Sequence, residues 1–339
     1  MEGPLGGAAL RGPSPRITYL SAPRMTDWKT SLFGKVDRAH RRLNNAVKDR
    51  WPILSVWLYQ RPRARFLLYK LEKALLRGVE VNTVDRPSIV FFTTHKAASM
   101  FMDRLLRRLS TAHGMLPTDI EAWFSTGSPK LWSIFKDPGA MQRLFRPKGL
   151  YYGALRAYRE IPDLDAYRVV VALRDPRDML TSYYYSEAFS HAPINKRVLE
   201  RRVRAQAQTI DEFVLEHAPR HYQVYKEYID KLHGRPHVHF TTYERMTADL
   251  EGWFRDVVEH VGLTERPDLV AELLEEARKV KGSGRKESHV RVARPGDHRD
   301  KLLPATVAEL DRLFAPVMSV LYPADEDRSG MRARPMGRP

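Results

Sequence analysis

The chain has 339 residues, 43% of them hydrophobic, no cysteine, and a net charge of +16 from 57 Lys/Arg against 41 Asp/Glu. Without cysteine, disulfides, thiolate catalysis and cysteine-bound metal are excluded. No run approaches the ~18 apolar residues of a membrane span. The opening MEGPLGGAALRGPSPR lacks the apolar centre of a signal peptide, so a cytoplasmic location is expected.

The charge is uneven. Residues 1–80 hold 16 Lys/Arg and 6 Asp/Glu, a net +10, whereas residues 81–323 are only +5. Residues 1–25 are rich in Gly, Pro and Arg and read as disordered. Residues 26–84 read as a basic, amphipathic helical extension. Leu32, Val36, Ala39, Leu43 and Val47 share one stripe, and Arg38, Arg41, Arg42 and Lys48 lie opposite. The expectation is that these helices pack on the main domain or on a second subunit as a homo-oligomer. Weak contact of residues 26–80 with an anionic membrane surface is the alternative. No base-reading element accompanies the charge, so no specific nucleic-acid partner is expected.

The main domain is expected over 85–323, with 324–339 a disordered tail. Ser88 to Phe92 is a short apolar run that predicts a buried strand. From Phe101 the period changes: Phe101, Leu105, Leu106 and Leu109 fall on one helical stripe. THKAASM lies between. A loop from strand into helix points free amides, and the positive end of the helix dipole, at an anion. Lys96 adds a mobile cation and Ser99 a hydroxyl. The loop has no G-x-x-x-x-G-K-S/T, so it is not a Walker A loop.

Leu116 to Phe124 reads as a second strand and loop. Val169 to Leu173 predicts another buried strand, followed by Asp175 as N-cap and Pro176 at the first helical position. Arg174 then leaves the strand's carboxyl end, where open α/β sheets bind ligands. Ser182 lies about two turns into the helix, and the pair could grip one phosphate. Residues 187–236 read as helical, basic and aromatic, with His191, Lys196 and Arg197 as candidate acceptor contacts. His237 to Met246 reads as strand and turn, and Trp253, Phe254, Val257, Val258 and Val261 as a helical stripe. Lys279 to Lys301 is a basic loop, Leu302 to Tyr322 a closing helix. No metal-ligand cluster is visible.

These stretches resemble the PAPS-dependent sulfotransferase family. H-K-A-A-S-M is similar to its 5′-phosphosulfate loop, K-x-G-T-T, with Ala98 and Met100 departing from glycine and threonine. R-D-P-R-D-M-L-T-S-Y-Y closely resembles the 3′-phosphate motif. The resemblance implies a single three-layer α/β domain with a central parallel sheet, like P-loop nucleotide kinases, plus the helical N-terminal extension. It implies transfer of a sulfuryl group from PAPS, without metal, to a hydroxyl or amine of a small-molecule or glycan-type acceptor. Lys96 would be catalytic, and Lys96, Ala97, Ala98, Ser99, Met100 and Phe101 would line the 5′ side.

Arg174 and Ser182 would hold the 3′-phosphate, and Tyr243 would lie near the adenine. Arg291, with Arg294 as a second candidate, falls on the family's R-K-G-x-x-G-D-W loop. TDIEAWF resembles an acidic stretch that supplies a catalytic glutamate, which points to Glu121. Asp119 is the reserve and His113 an outside candidate. The absence of cysteine argues against kinship with Golgi-lumen members. Two other functions fit the sequence. One is a P-loop nucleotide phosphotransferase. The other is a non-catalytic relative whose basic helices bind membrane or nucleic acid.

Overall fold

The structure, a computed structural model, describes residues 50–60, 68–125, 133–190, 196–282 and 295–323. The readings at 1–49, His191, Arg291, Arg294 and 324–339 lie outside the described residues.

Five strands form one parallel sheet: β1 (Ile89–Thr93), β2 (Leu116–Thr118), β3 (Leu150–Leu155), β4 (Arg168–Leu173) and β5 (Val238–Thr242). Their order is β2-β3-β1-β4-β5. The main helices are α1 (Lys70–Leu76), α2 (Ser99–Ala112), α3 (Ile120–Ser125), α4 (Pro138–Leu144), α5 (Pro176–Tyr185), α6 (Lys196–Gln206), α7 (Ile210–Leu232), α8 (Tyr243–Ala248), α9 (Leu250–Val261), α10 (Pro267–Gly282), α11 (His298–Lys301) and α12 (Pro304–Leu321).

The sheet is apolar on both faces because helices cover both, as a parallel sheet requires. Alternate residues of β1 serve opposite cores. Ile89 and Phe91 meet Met102, Leu105, Leu106 and Leu109 of α2 and the buried stripe of α9. Val90 and Phe92 face Met179 and Leu180 of α5, with α7 and α12 behind. The result is a single α/β domain of three layers, as the sequence predicts. Each of those α2 side chains is worth roughly 1.5–3 kcal/mol when fully buried.

After β1 the chain moves to one side of the sheet, to β2 and β3, then crosses to β4 on the other. The helices that follow β1 and β4 pack on opposite faces. A crevice opens at such a switch point, outside the strands' carboxyl ends.

Two local readings change. The stretch expected as strand and loop at 116–124 is a short strand followed by α3. The Tyr243 turn is the first residue of α8, capped by Thr242. Ile120, Trp123 and Phe124 are buried at helical spacing, and that contact set outweighs the aromatic β-propensity. Leu75 of α1 is fully buried in the main core, and Glu72 accepts the Asp119 N–H, so this helix packs with the sheet. Residues Trp51 to Leu58 differ: they form a helical turn, Pro52–Ser55, continued through Val56–Gln60, whose large apolar side chains stay exposed.

Candidate active site

The loop from β1 to α2 is the first component. Lys96 and Ala98 both adopt left-handed backbone, φ 64° and 55°, on either side of the buried Ala97. These two reversals turn the chain from the strand into the helix within five residues. Ala98 is the N-cap of α2 and makes no side-chain cap hydrogen bond. The first amides of a helix have no acceptor of their own. Here none is taken by a capping side chain; the Phe101 N–H turns back to the Ala98 carbonyl at 2.9 Å, which leaves the Ser99 and Met100 amides for an anion.

The left-handed region costs an L-residue roughly 1–2 kcal/mol relative to glycine. Ala98 occupies the place that resembles the family's glycine, and its φ explains why glycine suits it. Ala98→Gly should stabilise the protein by about 1 kcal/mol after the unfolded-state entropy of glycine is offset. Calorimetry would read this as a rise of roughly 2–4 °C in midpoint. A lower midpoint would mean the alanine methyl makes packing contacts that outweigh the strain.

Lys96 Nζ lies 3.2 Å from Ser186 Oγ, at the end of α5. Burial and the nearby Arg174 charge hold the lysine below its ordinary pKa, while Glu187 pulls the other way. Arg156, at the exit of β3, sets its Nη2 3.3 Å from Ser99 Oγ. Met100 is 69% exposed and donates no hydroxyl, but its sulfur also lies 3.3 Å from Arg156 Nη2. Phe101 is half-buried against the α2 core.

The second component is the end of β4. Arg174 is 2% exposed. Its Nη1 donates to the Lys96 carbonyl at 3.1 Å, and its guanidinium lies over the Tyr243 ring at 4.6 Å. Asp178 is 3.6 Å from Nη2, an ion pair but too long for a hydrogen bond. Nε and Nη2 are buried without a hydrogen-bond partner among the described residues. A buried guanidinium with unsatisfied donors is the state an incoming anion relieves.

Asp175 caps α5 through the Arg177 N–H and also takes the Arg177 side chain, which reaches on to Asp311 of α12. The N-terminus of α5 is therefore satisfied internally, unlike that of α2. Donors left open at the end of β4 are therefore those of side chains and not of helix amides. Ser182 is half-buried on α5.

Asp178 lies in the first turn of α5. Fully buried, it accepts from the Gly296 N–H at 2.7 Å, the His298 N–H at 3.0 Å and His298 Nδ1 at 2.7 Å. It thereby fixes Gly296-Asp297-His298, the end of the basic loop, beside Arg174. His298 departs from the family's tryptophan, and here that departure supplies one of the three donors.

Glu121 sits half-buried in the first turn of α3. Burial raises its pKa; the Arg156 and Arg159 charges and the Arg156 backbone N–H pull it back. Arg156 thus joins Glu121 to the Ser99 loop. Asp119 is instead paired with Arg107 at 2.9 Å and is half-exposed. His113 follows the last turn of α2, about 21 Å along the helix from the loop, and pairs with Glu265 at 3.3 Å.

Two tyrosines of α7 complete the frame. Tyr228 OH donates to the Thr93 carbonyl at 2.9 Å and Tyr225 OH to the Arg174 carbonyl at 2.7 Å. They hold the carboxyl ends of β1 and β4, where ladder bonding stops. Their signal in sequence is an i, i+3 aromatic pair, which reads as core. Arg156, Ser186 and Asp178 were likewise not singled out as site residues. Among the described residues no group of His, Asp or Glu is arranged for a metal.

Residues 163–321, from just before β4 to the end of α12, match the family model described as the sulfotransferase domain. The resemblance to sulfotransferases stands on that match, which spans just under half of the chain. The β1–α2 loop lies outside the matched residues. No curated protein matches the chain. Among solved structures, a mouse sulfotransferase, SULT7A1, complexed with PAP is 15% identical, with a TM-score of 0.47, covering 78% of this chain and 92% of its own. A retinol dehydratase in complex with androsterone and inactive cofactor PAP is 16% identical, also with a TM-score of 0.47, covering 73% and 85%. At such identity no residue's role passes from those proteins to this chain.

Proposed function

We propose that the protein is a PAPS-dependent sulfotransferase that transfers a sulfuryl group to a hydroxyl or amine of an acceptor. The observation that carries this is the pairing of two anion-ready features at one switch point. One is the N-terminus of α2, without a side-chain cap, with Lys96 in the loop that leads into it. The other is Arg174, buried with two unsatisfied donors. They are tied by the Arg174 to Lys96 carbonyl bond. PAPS, when bound, supplies the activated sulfuryl group and leaves as PAP.

Sulfuryl transfer, like phosphoryl transfer, asks the protein for positioning and charge stabilisation more than for covalent chemistry. Lys96 and the first amides of α2 would take up negative charge on the 5′ side, with Ser99 in reach. This P-loop-like turn carries Ala97, Ala98, Met100 and Phe101 as its frame. Arg174, Ser182 and the basic residues Arg291 and Arg294 would hold the 3′-phosphate. Tyr243, beneath Arg174, would face the base. Glu121, its carboxyl raised by burial, would take the acceptor's proton. The acceptor is proposed as a small molecule or glycan-type chain and the location as cytoplasmic; no metal is invoked.

The test is thermal stability with PAP and with ADP. At about 100 times its dissociation constant, a ligand of the folded state adds ~2.7 kcal/mol. PAP should raise the midpoint, ADP should do so much less, and Arg174→Ala should abolish the difference between them. Equal shifts with both nucleotides would favour a nucleotide phosphotransferase, and no shift would remove the cofactor.

A further inference from the structure

The helical turn from Trp51 to Leu58 supplies no residue to the site described above. Trp51, Trp57 and Leu58 are 58%, 64% and 62% exposed, and Ile53 and Leu54 are exposed beside them. Only Ser55 is buried among the residues from Trp51 to Leu58. Five large apolar side chains within eight residues form a patch of a kind that marks an interaction surface. The Arg50 guanidinium lies 5.8 Å from the Trp51 ring. From Lys48 to Arg65 the sequence holds Lys48, Arg50, Arg61, Arg63 and Arg65 against Asp49 alone, a net +4.

Charge decides the occupant. A second copy would bring the same +4 against itself. Residues 26–49 of this chain carry 6 Lys/Arg and 3 Asp/Glu and would add positive to positive. Single-stranded nucleic acid would use the tryptophans and the arginines but leave Ile53, Leu54 and Leu58 in water. An anionic bilayer uses all three features. Aliphatic groups enter the acyl boundary, tryptophans settle at headgroup depth, and flanking Lys/Arg meet the phosphates. Among the described residues no helix is long and apolar enough to cross a membrane, so the contact is interfacial. We propose that Trp51 to Leu58, with its basic flanks, is a membrane-surface anchor that seats the enzyme on anionic lipid.

The test is co-sedimentation of the full chain with phosphatidylcholine vesicles, with and without phosphatidylserine, at low and high salt. The wild type should bind the anionic vesicles at least about tenfold better than the neutral ones, and high salt should weaken that binding. The triple variant Trp51→Ser, Trp57→Ser, Leu58→Ser should lose about tenfold in vesicle binding. It should keep the wild-type thermal midpoint and the PAP-induced shift, because exposed side chains support little of the fold.

Wild-type binding equal on both vesicles, or a triple variant that binds as wild type does, overturns the anchor. A triple variant with a lowered midpoint would show the patch covered by this chain's own residues. Loss of a dimer on size-exclusion without any vesicle binding would make it an interface between copies. Either result also overturns the proposal. None of these outcomes bears on whether PAPS is the donor.

Discussion

Lys96→Ala should lower turnover by about 10²–10³ at saturating PAPS, the scale seen when one pre-organised donor to developing charge is removed. PAP release with a competent acceptor is the measurement. Little else should change. Lys96 makes one side-chain bond, to Ser186, and alanine meets the same left-handed backbone that lysine already tolerates. The thermal midpoint should therefore move by no more than a degree or two, which separates a chemical role from a structural one. Because burial and Arg174 depress the lysine's pKa, the alkaline limb of the pH profile should fall before the ordinary lysine value. That limb should vanish in the alanine variant. Wild-type turnover in Lys96→Ala would remove the residue from the chemistry and leave the loop as a binding element alone.

β1, β4 and the helices that follow them were legible because their signals are local. β1 and β4 are continuous β-branched and aromatic runs, and Asp175-Pro176 marks the start of α5 without ambiguity. The stripe of α9 was legible for the same reason: all five of its predicted apolar residues are buried. The strain at Ala98 was foreshadowed by its departure from glycine, though only the backbone angle shows that the departure falls on a left-handed residue.

What sequence did not show is the set of contacts made across long separations. In the sequence Asp178 is one letter of the R-D-P-R-D motif; its donors are 118 and 120 positions away. Tyr225 and Tyr228 lie in the stretch read only as helical, basic and aromatic, yet their hydroxyls close the ends of two strands. Arg156 carries no local signal, and its link between Ser99 and Glu121 depends on how β3 lies beside β1. The exposure of Trp51 and Trp57 was hidden for the opposite reason. An apolar run looks the same whether it packs against its own domain or waits for another surface.

Asp178→Ala should be the most damaging single change in the domain, costing roughly 3–5 kcal/mol, as removal of one partner from a buried ion pair does. The loss is large because three donors and a guanidinium converge on this carboxylate: Gly296 N–H, both nitrogens facing it from His298, and Arg174. Removing it leaves Arg174 charged and buried without its anion and frees the end of the basic loop. Differential scanning calorimetry should show a midpoint lower by roughly 10 °C. Added PAP should recover part of that loss, since a phosphate would replace the missing charge.

The pH dependence gives an independent reading. Burial pushes the Asp178 carboxyl up, but the His298 side chain, the two backbone N–H groups and Arg174 outweigh it and hold the pKa below the usual 3.8. A depressed carboxylate contributes stability above its unfolded value, and that stability is lost as pH falls through the folded value. Wild-type stability should therefore drop more steeply than that of Asp178→Asn below about pH 4. Equal acid slopes in the two proteins would mean the carboxylate is not ionised in the folded state, and the ion pair with Arg174 would then have to be redrawn.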